Sequence, residues 1–346
     1  MKVRHMFAGV NTPRGFFSRF DQIMPESTDT RKIYIKGGPG MGKSTLMKKI
    51  VDRAEKEGMD CEVFHCSSDP SSLDGVHIPA LKFAIIDATA PHNSDPEYPC
   101  LGGEIFDISV HIDKSKLQFE GEEILFQTKR KKQEFAKGYH FLAAALPLLR
   151  YIDNQYLASA DVYGIFEAAE LLAKRVLGTQ VLNKNQRCRK LFLSAITPEG
   201  FTYHGDSLFE DTYCVAVKGN FGTSLFVRHF AEICRQRGFD AELFYCPIQP
   251  EDKVEHLYIP ELRFSLMTHN YYTHGAVGEV IELNEYIEHI SGLADCYSCA
   301  DTLMRKAIDA FGEAKAAHRL LESVYIPAMD FDALEERSYS LIHSIF

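Results

Sequence analysis

A glycine-rich stretch near the start of the chain has the residue types that bind phosphate. Residues 37–44 read GGPGMGKS and fit the pattern G-x-x-x-x-G-K-[ST] (Walker A) at every fixed position, between an apolar run and a helical pattern. Small residues let successive backbone N–H groups converge on phosphate oxygens, and the N-terminus of the following helix adds unpaired donors. The pattern predicts a phosphate-binding loop, which we call the glycine loop (residues 37–45).

The side chains of the glycine loop have distinct predicted roles toward ATP and Mg²⁺. Lys43 would bridge the β- and γ-phosphates, the Ser44 hydroxyl would coordinate Mg²⁺, and Thr45 would contact the α-phosphate. The residues before them would cradle the phosphates with their backbone: Gly37, Gly38, Pro39, Gly40, Met41 and Gly42.

A carboxylate for the metal follows a buried strand. Asp87 ends the apolar run LKFAIID, residues 81–87. An unpartnered buried carboxylate is costly, and open α/β sheets bind ligands at the carboxyl ends of their strands. We therefore predict that Asp87 holds Mg²⁺ together with Ser44 and takes part in catalysis with Lys43. The alternative is a structural aspartate that caps the next turn.

The group that would activate water has to come from outside this pattern. Ala88 stands where vigorous ATPases often have a glutamate, so slow turnover is expected. His92 is the leading candidate for a proton or phosphate role. Other candidates lie on the expected loops after the strands: Asp69, Asp74, Thr89 and Asp95. The alternative is that these residues cap turns around Pro91 and Pro96.

The chain also matches itself. Several blocks of the first half recur in the same order in the second: RHMFAGVNTPRGF as RKLFLSAITPEGF, GMDCEVFHC as GFDAELFYC, and IPALKFAIID as IPELRFSLMT. The order predicts a tandem duplication, with one domain over residues 1–186 and another over residues 187–346. The two halves are expected to pack as an intramolecular pseudo-dimer.

The second copy of the glycine loop lacks the predicted chemistry. It reads KGNFGTSL from Lys218 and is two residues shorter. Thr223 stands where Lys43 would be, and Thr268 where Asp87 would be. The sequence therefore predicts one working site, in the first half, and a degenerate second half.

Strands and helices alternate in the periodicity of both halves. In the first half we predict strands at 32–36, 61–66 and 81–87 with a helix at 43–57. Each half then turns helical, at 122–152 and 160–177 and again at 284–322 and 331–346, with Gly292 as a candidate break in the helix at 284–322. The alternation predicts an α/β fold whose parallel sheet has helices on both faces.

Composition narrows the class of protein. The formal charge of −10 argues against a dedicated nucleic-acid binder, and no apolar run is long enough to span a membrane. Nine cysteines and a start without a signal peptide predict reduced thiols in a cytoplasmic protein. Cys296 and Cys299 form a lone CxxC, which favours two helical residues over a zinc site.

Charged residues on the long helices leave two interpretations open. The basic run at 129–132 is either a solvated helix face or an arm that reaches over a triphosphate. Lys137 and His140 recur as Lys315 and His318, three residues apart on a helix face. Because both halves keep them, packing or capping is favoured over catalysis.

The stretch DATAPHNSDPEYP, from Asp87, carries a resemblance to a known family. With the glycine loop and the two TPxGF starts, it resembles uncharacterised bacterial ATP-binding proteins built of two P-loop-like halves. Cys100 departs from the glycine that follows YP in that family, which leaves the loop after Pro99 in doubt. The resemblance implies nucleotide binding and supplies no substrate.

These observations predict an Mg²⁺-dependent ATP-binding protein that hydrolyses ATP slowly at one site and acts as a switch on an unknown protein partner. The alternatives are a small-molecule kinase and a non-catalytic scaffold that binds ATP. The stretch NKNQ has Gln186 where a guanine-binding N-K-x-D motif has aspartate, so ATP is favoured over GTP.

Overall fold

The computed structural model describes residues 2–25, 27, 29–91, 94–98, 101, 103–182, 184, 186–210, 212–269 and 278–346. The elements of the first half are β1 Val3–Met6, β2 Gly9–Thr12, β3 Gly15–Ser18, β4 Arg31–Lys36, α1 Lys43–Lys56, β5 Cys61–Cys66, β6 Asp69–Ile78, β7 Phe83–Asp87, β8 Gly103–Asp107, α2 Gly121–Ser159 and α3 Val162–Leu177. Those of the second half are β9 Cys188–Leu191, β10 Ser194–Thr197, β11 Gly200–Tyr203, α4 Asp206–Phe209, β12 Tyr213–Lys218, α5 Thr223–Gln236, β13 Ala241–Tyr245, β14 Val254–Ile259, β15 Phe264–His269, β16 Glu279–Glu282, α6 Ala294–Tyr325 and α7 Phe331–Ile345.

The molecule is an α/β protein with two six-stranded mixed sheets. The first sheet has the order β1-β5-β6-β7-β4-β8, and the second has the order β9-β13-β14-β15-β12-β16. In the first sheet β6 runs antiparallel to both neighbours and every other pair is parallel. In the second sheet β14 takes the same antiparallel place. Strand order and strand direction are therefore the same in the two sheets.

The prediction of a parallel sheet was wrong at β6. Its sequence, DPSSLDGVHI, has turn-forming residues where a strand would be apolar, so the sequence reading placed Asp69 and Asp74 on a loop. Only Ser67 and Ser68 separate β5 from β6, and a two-residue connection joins antiparallel strands. The register of this hairpin shifts near His65, which accommodates the irregular start of β6.

Helices longer than one turn cover only one face of each sheet, which corrects the prediction of helices on both faces. Along β4, Ile33 and Ile35 belong to a core that α1 and α7 complete. Tyr34 points to the opposite face and joins a core shared by residues of both sheets, among them Phe64 and Phe244. The apolar runs correctly indicated sheets buried on both faces, but periodicity does not distinguish a covering helix from a covering sheet.

The last helix of each half packs on the other half. In the first half, α3 supplies Ile165 and Leu172 to the core of the second sheet. In the second half, α7 supplies Leu334 and Leu341 to the core of the first sheet. The long helices α2 and α6 pack antiparallel against each other, and Phe311 of α6 fills the space that a side chain at Gly138 would need. The halves are thus interlocked by exchanged helices.

Main-chain and charged groups join the halves at their seam. The N–H of Phe7 donates to the carbonyl of Phe192 at 2.8 Å, and the N–H of Phe192 donates back at 3.1 Å. A mostly buried cluster of four charged residues lies beside this pair. Arg4 and Arg189 each contact two glutamates, Glu62 from the first half and Glu242 from the second. Each charge in the cluster therefore has opposite charges from both halves.

The predicted elements are largely recovered, with several shifted boundaries. The helix expected to end at residue 152 runs to Ser159. The strand expected at 81–87 starts at Phe83 because Pro79–Leu81 forms a 3-10 turn. The helix expected at 284–322 starts at Ala294, after Gly292 adopts a φ of 86° that an α-helix does not allow. Within the described ranges, no helix has both the length and the apolar character needed to cross a membrane.

Candidate functional site

The glycine loop connects the carboxyl end of β4 to the start of α1. Gly40 and Gly42 have positive φ angles of 68° and 94°, a region that favours glycine. Gly42 is the N-cap of α1 and makes no side-chain capping bond, so the amides of the first helical turn are left for other acceptors. Met41 is buried beneath the loop, where its Sδ accepts from the N–H of Gly38 at 2.9 Å. Pro39 is half-buried, and Thr45 is exposed on the helix surface.

Three of the predicted site residues lie at neighbouring points of this edge of the sheet. Lys43 Nζ lies 3.6 Å from Asp87 Oδ2 and donates to the carbonyls of Gly37 and Gly38 at 2.7 and 2.9 Å. Ser44 Oγ accepts from the N–H of Leu73 at 3.0 Å. Strands β4 and β7 are adjacent and parallel, so their carboxyl ends lie side by side. Helix α1, which follows β4, therefore begins close to Asp87 at the end of β7.

Asp87 is oriented by the turn that follows it. Its Oδ1 accepts from the N–H of Thr89 at 2.9 Å and also from the Thr89 hydroxyl. Lys36 fixes the next segment, since its Nζ contacts Asp95 at 2.8 Å and donates to the carbonyl of Ser94 at the same distance. Thr89 and Asp95 therefore have turn-forming contacts. His92 lies outside the described residues.

Asp69 and Asp74 lie in β6 and not on a loop. Asp69 Oδ1 lies 2.7 Å from Nζ of Lys315, which comes from α6 of the second half. Burial would raise the pKa of Asp69, but hydrogen bonds from Lys315, Ser72 and Ser71 outweigh it and lower that pKa. Asp69 is therefore an ionised partner of α6.

The second half covers the glycine loop. A Cβ built on Gly40 would lie 2.9 Å from Cγ1 of Ile326 and 3.1 Å from Cβ of Glu322, so the end of α6 rests on the apex of the loop. A Cβ on Gly42 would lie 3.2 Å from Cδ2 of Leu334 in α7. The exchanged helices thus complete the walls of the candidate site.

A lysine from α2 and a histidine from α6 lie near the loop. Nζ of Lys131 lies 3.4 Å from Nδ1 of His318, and Nε2 of His318 lies 3.7 Å from Oε1 of Glu322. Burial, and after it the charges of Lys131 and Lys43, lower the pKa of His318 to about 4. Burial and repulsion from Lys43 also lower the pKa of Lys131. The pKa of Glu322 is raised by burial and by the charge of Asp69.

The two lysine–histidine pairs of the long helices have different surroundings. Lys315 and His318 face the candidate site, whereas Lys137 and His140 are exposed and Lys137 pairs with Glu134. The packing or capping role expected for these residues stays a prediction. In the basic run, Lys131 faces the loop, Arg130 pairs with Glu313 at 2.8 Å, and Lys129 and Lys132 are exposed.

Residues of both halves also pack against the corresponding loop of the second half. Gly222 caps α5 with a φ of 85°, like Gly42, but a Cβ there would lie 2.8 Å from Cδ1 of Ile165. The N–H of Asn220 donates to Asn284 Oδ1 at 3.0 Å. Thr223 and Thr268, which the sequence comparison aligns with Lys43 and Asp87, are both buried.

Metal-binding groups are limited in the described part of the chain. No group of three or more His, Cys, Asp or Glu residues is arranged there to hold a metal ion. Cys296 and Cys299 are free thiols on α6, which agrees with the helical interpretation of CxxC. Oxygens of Ser44 and Asp87 remain the predicted ligands for Mg²⁺.

Sequence reasoning missed Lys131, His318 and Glu322 as neighbours of the loop. They lie far from residues 37–45 along the chain, and the exchange of helices brings them there. The basic run at 129–132 was the one signal in the sequence that pointed to Lys131. The periodicity of α2 and α6 does not distinguish His140 of α2 from His318 of α6.

Comparison with known proteins gives a partial likeness. A family model described as Nephrocystin 3, N-terminal, matches residues 17–78, a segment that contains the glycine loop, α1, β5 and β6. No curated protein and no solved structure matches the chain. The match covers a minor part of the chain and is a similarity of that segment. The resemblance to the bacterial family stays a prediction.

Proposed function

We propose that the chain binds Mg²⁺-ATP at the glycine loop and hydrolyses it slowly, as a nucleotide-driven switch. The observation that carries this proposal is the convergence of Lys43 and Asp87, 3.6 Å apart, at the carboxyl ends of β4 and β7 beside an uncapped helix start. Backbone amides, a lysine and a carboxylate are the groups that nucleoside triphosphate sites combine.

The donor set fits the predicted ligands. Gly40 and Gly42 hold positive φ angles that residues with a side chain rarely adopt, as a loop that binds phosphate with its backbone requires. The Lys43 ammonium contacts loop carbonyls and Asp87, and it would exchange these contacts for phosphate oxygens. Ser44 and Asp87 would hold Mg²⁺ through hard oxygen ligands, and the ion would offset charge on the phosphates.

Slow turnover follows from the residues around Asp87. Ala88, the next residue, has no group that could orient water. Thr89 and Asp95 are engaged in turn contacts, and Asp69 is paired with Lys315. Catalysis would rest on positioning and charge stabilisation by Lys43 and Asp87, which hold the phosphates without a strong base. His92 stays the predicted proton-transfer residue.

We also propose that the halves, residues 1–186 and 187–346, descend from one duplicated P-loop-like domain in a cytoplasmic protein. Support comes from the repeated sequence blocks, the equal strand orders and the equivalent positions of Gly42 and Gly222. The second half would then have lost its phosphate site and kept its role in covering the first.

A melting screen tests nucleotide binding. Wild type and Lys43→Ala are heated with Mg²⁺ and ATP, ADP or GTP, with Lys56→Ala as a control because Lys56 is an exposed lysine on the same helix. Ligand at 100 times its Kd stabilises by about 2.7 kcal/mol, which raises the melting temperature by a few degrees. ATP should stabilise wild type and Lys56→Ala but not Lys43→Ala. Equal melting temperatures with and without ATP in wild type would refute the proposal.

Phosphate release then separates hydrolysis from the alternatives. Slow release with Mg²⁺-ATP alone, abolished in Lys43→Ala, supports an ATPase. Release or transfer that requires an added metabolite indicates a phosphotransferase. Tight binding without turnover under either condition indicates a scaffold.

A further inference from the structure

Lys131 and His318 meet beside the glycine loop, and Glu322 is the carboxylate nearest to His318. Their nitrogens lie 3.4 Å apart. His318 in turn lies near Glu322, whose Cβ would be 3.1 Å from a Cβ built on Gly40, so Glu322 lies between the loop and the pair. The pair comes from helices of different halves, α2 and α6.

The charge balance of this place is unusual. The charges of Lys43 and Lys131 repel a proton from His318, and Lys43 repels the charge of Lys131. Asp69 is engaged by Lys315 and Asp87 by Thr89 and Lys43, and Glu322 is the carboxylate that faces His318. An anion bound between Lys43 and Lys131 would relieve this repulsion, because opposite charges favour the protonated forms of both groups.

We propose that Lys131 and His318 bind the terminal phosphate of the nucleoside triphosphate, so that the site distinguishes a triphosphate from a diphosphate. The inference rests on the function proposed above and adds a specificity device to it. Since α6 belongs to the second half, loss of the terminal phosphate would remove a bridge between α2, α6 and the loop. The degenerate half would thereby respond to hydrolysis at a site that it does not itself contain.

Binding constants for Mg²⁺-ATP and Mg²⁺-ADP, measured by calorimetry, test this inference. The variants are Lys131→Ala and His318→Gln, and the matched controls are the exposed neighbours Lys132→Ala and His140→Gln. Wild type should bind ATP more tightly than ADP. Loss of one charge-assisted hydrogen bond should weaken ATP binding about tenfold or more, leave ADP binding within about twofold, and be absent from both controls.

The outcomes separate the two proposals. If wild type binds neither nucleotide, the proposed function fails. If wild type binds both and Lys43→Ala binds neither, the proposed function stands, and an unchanged ATP-to-ADP ratio in Lys131→Ala and His318→Gln refutes the terminal-phosphate contact. If Lys131→Ala does not fold, as judged by circular dichroism, Lys131→Gln keeps the length of the stem and takes its place.

Discussion

Glu322 of the second half lies against Gly40 of the glycine loop, with 3.2 Å between the Cα of Glu322 and the position that a Cβ on Gly40 would occupy. The contact places the end of α6 on the apex of the loop. A loop that binds phosphate with its backbone is therefore also a packing surface between the halves. Changes at either residue should affect both folding and ligand binding.

Gly40→Ala should destabilise the chain by more than backbone strain alone. Gly58 is a matched control, because it has nearly the same φ, 69° against 68°, and a Cβ there would meet nothing within 4 Å. The αL strain costs about 1–2 kcal/mol at either position. We expect Gly40→Ala to add about 1–3 kcal/mol for overpacking against Ile326 and Glu322. Urea unfolding of both variants measures the difference, and equal losses would contradict the packing of α6 on the loop.

The local structure around the glycine loop could be predicted from sequence. The strand Arg31–Lys36, the helix from Lys43 and the strand Cys61–Cys66 agree with the patterns that predicted them. The convergence of Lys43 with Asp87 also follows, because a glycine loop and a strand-end aspartate meet wherever their two strands are adjacent and parallel.

The remaining part depends on long-range packing that no local pattern encodes. Asp69–Ile78 has turn-like composition, and it is a strand because the two-residue connection pairs it with β5. Which half α7 packs on cannot be read from its own apolar face, since both sheets offer an apolar surface to it. His318 reaches the site through that exchange, and the identical spacing of Lys137 and His140 concealed the difference.

Removing the charge of Lys131 should raise the pKa of His318. That pKa is about 4, held down by burial and then by Lys131 and Lys43, while Asp69 and Asp87 act in the opposite direction. In Lys131→Ala one repelling cation is lost, so the pKa should move toward 6.5, with Lys132→Ala as the control. Histidine ring signals followed by NMR across pH 3–8, assigned with His318→Gln, measure it. An unchanged pKa would mean that the two side chains are not neighbours.

Stability should fall in acid through histidines at the seam. Rings of His65 and His204 stack with centroids 4.2 Å apart, and burial lowers their pKa values to about 4 and about 3. Between these values and 6.5 the unfolded chain binds more protons than the folded chain, so the free energy of unfolding decreases as the pH falls from 6.5 toward 3. His204→Phe should flatten this decrease in urea titrations at several pH values. A slope equal to that of wild type would show that His204 is not the source.

Loss of one member of the charged cluster at the seam should lower the free energy of unfolding. Nitrogens of Arg189 lie 2.7 Å from Glu62 and 3.1 Å from Glu242, and both glutamates are largely buried. Arg189→Met would leave these carboxylates with less compensation and should cost about 3–5 kcal/mol of unfolding free energy. Arg235→Met, which removes an exposed pair with Glu232, should change stability little. Similar small losses in both variants would contradict a stabilising role for the cluster.

The number of Mg²⁺-ATP molecules that bind each chain tests the central claim most directly. Isothermal titration calorimetry of wild type should give one site per chain. The second half has Thr223 and Thr268 at the positions aligned with Lys43 and Asp87, and neither threonine offers the charge of the residue it aligns with. The same titration of Lys43→Ala should show no binding, while Thr223→Ala should bind like wild type. Two sites per chain, or binding that survives in Lys43→Ala, would contradict the account.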